Sequence, residues 1–203
     1  MSSSAPSPHT IEVLSLGKTQ QLARRLARQI QSTRFTPDVV IAIARGGFVP
    51  ARFVCDYLDI YNLTCIRIAH YTGTDIHAQA RLSIPLNLDV RGMSVLLVDD
   101  VDDTGDTLQL ALEHVQGFAP ATIRTAVLHH KSVSRLVPDF FAQEVKAWRW
   151  LTYPWAVTED VLGLVRKLEP RPATIEAAIA CIRQEYHIRV SPQTMADVYR
   201  LLA

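Results

Sequence analysis

The sequence predicts an α/β protein with a parallel β-sheet flanked by helices. Two apolar runs of strand length support this prediction, one over residues 39–44 and the other over residues 95–98. Continuous apolar runs are typical of strands buried on both faces, as in parallel sheets. Each run ends at a glycine-containing turn, and apolar residues at helical spacing follow it, over about 48–58 and 108–115.

Acidic residues and a Gly/Thr-rich turn follow the second apolar strand. Asp99 and Asp100 come first, and the turn over residues 104–107 leads into the helix. Ligands of open α/β sheets bind at the carboxyl ends of strands. A helix N-terminus binds phosphate through its free N–H groups and its dipole, and carboxylates accept strong hydrogen bonds from hydroxyls. The segment therefore predicts a sugar-phosphate site.

Residues 95–107 also resemble the phosphoribosyl-pyrophosphate (PRPP) motif of the type I phosphoribosyltransferases. That motif is an apolar strand, two acidic residues, two variable residues and then Asp/Ala-Thr-Gly-x-Thr, and the chain matches all of its key positions. The resemblance implies that Asp99 and Asp100 accept hydrogen bonds from the ribose hydroxyls, with Mg²⁺ near Asp100. It implies that Asp103 is the base that faces the purine. The PRPP phosphate is implied to lie on Thr104, Gly105, Asp106 and Thr107.

A second turn, Arg45-Gly46-Gly47, follows the first buried strand. Two glycines allow the backbone to approach an anion closely, and the arginine offers a fork of N–H donors. The stretch resembles the pyrophosphate loop of the purine phosphoribosyltransferases, which often carries a cis non-proline peptide. The resemblance implies PRPP contacts by all three residues and a cis bond between Ala44 and Arg45.

Two further matches concern the purine base. A strand is predicted over 123–129, and Lys131 stands just past its end, where the resemblance places a donor to the purine 6-oxygen. A downstream aromatic cluster, over residues 148–155, is similar to the hood of xanthine/guanine phosphoribosyltransferases. There Trp150 is implied to stack on the purine, and the Leu151 carbonyl to contact its 2-position. One position departs from the pattern, because Ala156 stands where those relatives carry an aspartate.

A long polar stretch over residues 70–91 separates a strand predicted at 64–69 from the acidic motif. Loops of more than about a dozen residues in compact domains are often functional lids. In the family this loop closes over pyrophosphate and excludes water, which would otherwise capture a ribosyl cation. Tyr71 matches the usual tyrosine of that loop and is implied to contact PRPP, while Arg81 is a candidate anion contact.

The resemblance predicts a type I phosphoribosyltransferase fold: a parallel sheet flanked by helices, with a small hood and a C-terminal helical extension. Residues 1–9 are expected to be a flexible tail, because they are rich in Ser and Pro. The catalytic domain is expected over 10–169, with the hood at about 131–160. Residues 170–203 are expected to be a helical extension of the same domain that packs on it, because their charges are mixed rather than basic.

The implied reaction transfers a phosphoribosyl group from PRPP to a 6-oxopurine, with Mg²⁺ and release of pyrophosphate. Two alternatives stay open. The residues from Asp100 to Thr104 also fit the Asp-x-Asp-x-Thr signature of haloacid-dehalogenase-type phosphatases. The same fold could also serve a PRPP-sensing regulator.

The chain contains neither a P-loop nor a Gly-x-Gly-x-x-Gly motif, which argues against nucleoside-triphosphatase and dinucleotide-binding proteins.

The composition of the chain indicates which classes of binding partner to expect. The 203 residues carry a net charge of +1 and are 48% hydrophobic, which argues against a disordered chain and a nucleic-acid partner. No apolar run reaches membrane-spanning length and no signal peptide is visible, so we expect a cytoplasmic protein that does not bind membranes. The three cysteines are too few and too scattered for a disulfide framework or a zinc site. A homo-oligomer, a dimer or tetramer, is expected.

Overall fold

The computed structural model describes residues 10–71 and 79–202 and confirms the α/β class. The strands are β1 (Ile11–Val13), β2 (Val39–Ala44), β3 (Leu63–Tyr71), β4 (Gln79–Ile84), β5 (Ser94–Asp102), β6 (Thr122–Lys131), β7 (Phe140–Val145) and β8 (Trp150–Thr152). The helices are α1 (Leu16–Gln31), α2 (Phe48–Leu58), α3 (Asp106–Gln116), α4 (Val157–Val165), α5 (Ile175–Tyr186) and α6 (Pro192–Leu202). The chain divides into two compact units, one over Thr19–Lys146 and the other formed by the residues before and after it.

A six-stranded sheet forms the centre of the Thr19–Lys146 unit, in the order β4-β3-β2-β5-β6-β7. Neighbouring strands pair in parallel from β3 to β7. Every residue of β2 is buried, as its uninterrupted apolar sequence predicts. The apolar faces of α3 and the central strands share one core, which includes Ile41, Leu97 and Leu108. This core fixes where the carboxyl ends of β2, β5 and β6 lie.

Three parts of this sheet differ from the sequence prediction. The edge strand β4 pairs antiparallel with β3, within the stretch that the sequence predicted as one long loop. Strand β7 pairs with β6 and belongs to the sheet, although its residues fall within the range predicted as hood. The strands β5 and β6 also run further than predicted, because their ladder continues to the Asp102–His130 pair. Lys131 is therefore the last residue of β6 rather than a residue past its end.

The other unit contains the parallel pair β1–β8 and the helices α4 to α6. The predicted C-terminal helices form, and their apolar faces pack with α4 around buried Ile182, Met195 and Val198. Side-chain caps begin both helices: Thr174 Oγ1 accepts from Ala177 N at 3.2 Å, and Ser191 Oγ accepts from Thr194 N at 3.0 Å. None of the helices in the described residues is both long and apolar enough to span a membrane.

Candidate active site

The two acidic residues that follow the apolar part of β5 have different environments. Asp99 is buried, and its Oδ1 accepts a hydrogen bond of 2.9 Å from the backbone N–H of Asp100. Burial raises the pKa of the Asp99 carboxyl well above its usual range, and the neighbouring charge of Asp100 raises it further. Asp100 is only half-buried and lies against the turn after β2. The pair therefore places one inward and one accessible carboxyl at the end of β5.

The turn after β2 approaches β5 closely, and its glycines are what permit this. A Cβ on Gly46 would lie 2.5–2.6 Å from the carboxyl atoms of Asp100. A Cβ on Gly47 would collide with the backbone oxygens of Val98 and Ile43. The peptide between Ala44 and Arg45 is cis, which confirms the prediction. Arg45 is exposed beside this turn.

The turn between β5 and α3 has the geometry expected of an anion site. Gly105 is the N-cap of α3 with φ of 93°, a left-handed backbone that favours glycine, and α3 begins at Asp106. The hydroxyl of Thr104 donates to Asp106 Oδ2 at 2.8 Å. The backbone N–H groups of the first turn therefore lie at a helix N-terminus, as the sequence predicts. Asp106 contributes a carboxylate to this turn, and its backbone N–H donates to Thr104 Oγ1 at 3.4 Å.

Lys131 and Asp103 form an ion pair at the carboxyl ends of β5 and β6. Lys131 Nζ lies 2.9 Å from Asp103 Oδ2. The lysine side chain is 4% exposed and the aspartate side chain 41% exposed, so a buried ammonium meets a carboxylate that is open to solvent. The structure thus brings together the residue predicted to act as the base and the residue predicted to contact the purine 6-oxygen. An ammonium has three donors, so it can bond Asp103 and a second acceptor at once.

Sequence analysis missed a second polar pair, Asp102 and His130, which lies one residue before Asp103 and Lys131. Asp102 Oδ2 and His130 Nδ1 are joined by a hydrogen bond of 2.7 Å, and both side chains are buried. Burial raises the pKa of the Asp102 carboxyl, while hydrogen bonds from Ser134 and His130 oppose that shift. The available signal was a pair of polar residues, His129 and His130, directly after the apolar run over residues 126–128.

The predicted stacking residue Trp150 is half-exposed on β8, and its Nε1 donates to Asp160 Oδ2 of α4 at 2.9 Å. Burial raises the pKa of the Asp160 carboxyl, and the hydrogen bonds from Trp150 and Thr152 oppose that shift. Leu151 is buried and pairs with Glu12 of β1. Contacts of Trp150 and Leu151 with a purine stay predictions.

Two residues predicted for the lid lie on the edge pair β3–β4. Tyr71 ends β3 and pairs with Gln79, but its side chain lies outside the described residues, so its contact with PRPP stays a prediction. Arg81 is an exposed residue of β4, and it pairs with Ala69 of β3. Residues 72–78 of the predicted loop also lie outside the described residues.

The carboxylates at the end of β5 fit a magnesium ion that a substrate helps to hold. Mg²⁺ is commonly bound by one or two carboxylates together with substrate phosphate oxygens. Asp100 offers an accessible carboxyl in a space that a Cβ on Gly46 would fill. Within the described residues no group of three His, Cys, Asp or Glu side chains could hold a metal alone. The oxygen donors present therefore suit Mg²⁺ brought in with PRPP.

Comparison with known proteins agrees with this fold. A family model for the phosphoribosyl transferase domain matches residues 10–160. The chain belongs to that family. The match ends before α5 begins. Membership excludes the phosphatase alternative, and Asp102, which that signature needs, is buried and bonded to His130.

Two of the similar proteins described here are purine enzymes by name. The chain is similar to a xanthine-guanine phosphoribosyltransferase of Nitratidesulfovibrio vulgaris, with 33% identity over 116 residues, or 57% of this chain and 67% of that protein. Among solved structures, a purine phosphoribosyltransferase of Pyrococcus horikoshii has a TM-score of 0.64 and 32% identity, over 71% of this chain and 93% of that one. A Neisseria gonorrhoeae protein solved with bound ppGpp has a TM-score of 0.66 and 27% identity, over 73% of this chain and 90% of that one.

Proposed function

We propose that this protein transfers the 5-phosphoribosyl group of PRPP to a 6-oxopurine, giving a purine nucleoside 5′-monophosphate and pyrophosphate. The observation that carries the proposal is the Asp103–Lys131 pair at 2.9 Å, next to a phosphate-type turn, in a chain of the phosphoribosyl transferase family. Two of the relatives described above are named for purine substrates. A role in purine salvage follows from such a reaction.

Binding of PRPP is assigned to two turns. The N–H groups at the start of α3, with the hydroxyls of Thr104 and Thr107, hold the 5′-phosphate, because a helix N-terminus favours an anion. The turn Arg45-Gly46-Gly47 holds the pyrophosphate, since it offers an exposed guanidinium beside a close backbone approach. Asp99 and Asp100 accept hydrogen bonds from the ribose hydroxyls, and the negative charge of Asp100 stabilises the cationic ribosyl group as pyrophosphate leaves.

Asp103 and Lys131 act on the purine. Asp103 is the open carboxylate of the pair, and it takes or holds the proton at the purine N7 while N9 bonds to the ribose. Lys131 donates to the 6-oxygen. Adenine presents a 6-amino donor there, and two facing buried donors would cost on the order of 1–3 kcal/mol, which corresponds to discrimination of about 5- to 150-fold.

The remaining assignments rest on the family resemblance. Trp150 stacks on the base, the Leu151 carbonyl accepts from the 2-amino group of guanine, and Tyr71 contacts PRPP. Mg²⁺, held by Asp100 and substrate oxygens, would supply positive charge to the departing pyrophosphate. We also infer a cytoplasmic homo-oligomer, a dimer or tetramer, with no nucleic-acid or membrane partner.

The test is a panel of bases incubated with PRPP and Mg²⁺ while nucleotide formation is followed. Hypoxanthine and guanine are expected to react, and adenine and pyrimidines to react poorly. Xanthine belongs in the panel because a relative is named for it, while Ala156 stands where the resemblance puts an aspartate. Preference for adenine or orotate would refute the roles given to Lys131 and Leu151. Tight PRPP binding, measured by calorimetry, without turnover of any base would instead favour a PRPP-sensing regulator.

A further inference from the structure

The buried pair Asp102–His130 lies directly beside Asp103 and Lys131, the pair assigned to the purine. Asp102 and His130 are register partners on β5 and β6, and each is the residue directly before Asp103 or Lys131. Their side chains are only 1% and 7% exposed, so neither is open to a substrate. Any shift between the two strands at this point would move Asp103 relative to Lys131.

The pair also touches the segments on either side. Ser134, in the turn after β6, is one of the groups that lower the pKa of the Asp102 carboxyl, and its hydroxyl donates to Leu136 O at 3.0 Å. The residue after Ser134 donates from its backbone to Thr104 O at 3.2 Å, so this turn lies on the phosphate turn. The His130 ring packs on Phe141 of β7, with 5.1 Å between ring centres. The Asp102–His130 pair thus joins β5 to β6 and packs on β7.

Stability alone does not account for a buried polar pair at this place. Replacing a buried ion pair by apolar residues of similar volume is often neutral or stabilising, whereas removing one partner is costly. The two positions between the acidic pair and Asp103 are the variable positions of the PRPP motif, so that pattern does not demand an aspartate at 102. Val98 and Val127, earlier in the same strands, are buried and apolar, while Asp99, Thr125 and His129 are further buried polar residues of these strands.

We propose that the Asp102–His130 hydrogen bond is a positioning device, which fixes the separation of Asp103 and Lys131 for the purine. The inference rests on the function proposed above. Rates of positioned reactions are sensitive to small displacements, and a shift of about 1 Å costs about 100-fold. Loss of the bond should therefore lower kcat and raise the KM for the base, with less effect on PRPP.

The main test is the double variant Asp102→Val/His130→Leu. It removes both polar partners together and leaves no unpaired buried charge, so it is expected to fold with a melting temperature close to that of the native chain. Rates are expressed per PRPP-binding site, counted by calorimetry. We expect kcat/KM for guanine to fall about 10- to 100-fold, while the Kd for PRPP changes less than about threefold. Native kcat and KM in this variant would overturn the proposal.

The matched pair His130→Asn and His130→Leu isolates the hydrogen bond itself. An asparagine amide places a donor near the position of Nδ1, whereas leucine fills a similar volume without a donor. His130→Asn is expected to recover most of the native kcat, and an Asn variant as impaired as the Leu variant would contradict the proposal.

A readout without turnover separates this inference from the proposed function. In a crystal structure of the double variant, the Lys131–Asp103 distance should exceed the 2.9 Å found here and the ion pair should break. An unchanged pair would refute the positioning role. A native chain that converts no base would refute the proposed function alone, because the structural comparison still tests the positioning.

Discussion

At the scale of single residues, the site depends on how burial divides similar side chains into different roles. Four aspartates lie within five positions, at Asp99, Asp100, Asp102 and Asp103, and their sequence environment is nearly the same. Asp99 and Asp102 are buried and bonded internally, whereas Asp100 and Asp103 are accessible. Asp100 and Asp103 are therefore open to a substrate as the structure stands, whereas the proposed contact of Asp99 with the ribose requires the end of β5 to open.

Asp103→Asn tests the assigned proton-transfer residue. The amide keeps the shape of the side chain but cannot take a proton, so kcat should fall by roughly 10²- to 10⁴-fold. PRPP binding, measured by calorimetry, should remain. Asp56→Asn, an equal loss of charge on the exposed surface of α2, is the control and should keep native rates. Full activity of Asp103→Asn in steady-state assays would show that another group moves the proton.

At the scale of elements, the contact between the turn after β2 and the end of β5 is the one most easily disturbed by an added side-chain atom. Its closeness depends on the absence of a Cβ at Gly46, which no local propensity reveals, because the partner Asp100 is more than fifty positions away. The sequence predicted glycines that approach an anion. In the structure the same glycines also let two strand ends approach each other.

Gly46→Ala should weaken PRPP binding. The added methyl would stand 2.5–2.6 Å from the Asp100 carboxyl atoms, so the carboxyl or the turn must move. A rise of at least about tenfold in the calorimetric Kd for PRPP is expected. Gly17→Ala is the matched control, since a Cβ there meets no atom within 4 Å. Equal PRPP affinity in the two variants would remove this turn from the binding site.

The end of β5 and the turn after β2 are also where the reaction is expected to require Mg²⁺. Nucleotide formation should stop in a chelator and return when Mg²⁺ is added, because the protein offers carboxylates but within the described residues no complete metal site of its own. The assay is the guanine reaction with and without chelator. An unchanged rate in the chelator would refute the cofactor assignment.

A further element-scale prediction concerns His114 of α3, whose Nε2 accepts a hydrogen bond of 2.9 Å from the backbone N–H of Leu86. Burial lowers the pKa of His114, so the folded protein favours the neutral ring. Above pH 6.5, the pKa of this histidine in the unfolded chain, its full contribution to the free energy of unfolding is present. As the pH falls below 6.5, the unfolded chain binds a proton before the folded protein does, and the free energy of unfolding decreases. Urea unfolding between about pH 7.5 and 5.5 should show a smaller loss for His114→Gln than for the native chain. Equal losses would contradict this linkage.

At the scale of the whole molecule, the C-terminal helices have a structural role that the family pattern does not cover. They lie after the family match, which ends at residue 160. Their apolar residues share a core with Val161 and Val165 of α4. Amphipathic spacing predicted the two helices, and their packing on the catalytic domain stays a prediction.

Truncation after Pro170 should therefore destabilise the protein or change its oligomeric state. It would expose the buried face of α4, and the milder variant Ile182→Ala should cost about 2–5 kcal/mol of unfolding free energy. Urea unfolding and light scattering measure these effects, with the exposed Leu201→Ala as control. No loss of sequence-specific DNA affinity is expected. A gel shift by the full chain that the truncation abolished would instead revive the regulator.

The sequence by itself determined the class, the PRPP motif and the turns, because apolar runs, glycines and carboxylates act over a few adjacent residues. Most helices were predicted on that basis, whereas the cis peptide between Ala44 and Arg45 was predicted from the family resemblance. Strand β4 was missed, although the alternation of Ala80 and Leu82 with Arg81 and Ser83 was a weak strand signal, since an edge strand forms only against its partner. Tertiary structure alone decided the Asp103–Lys131 and Asp102–His130 pairs. Their partners stand 28 positions apart, and only the register of β5 on β6 brings them together.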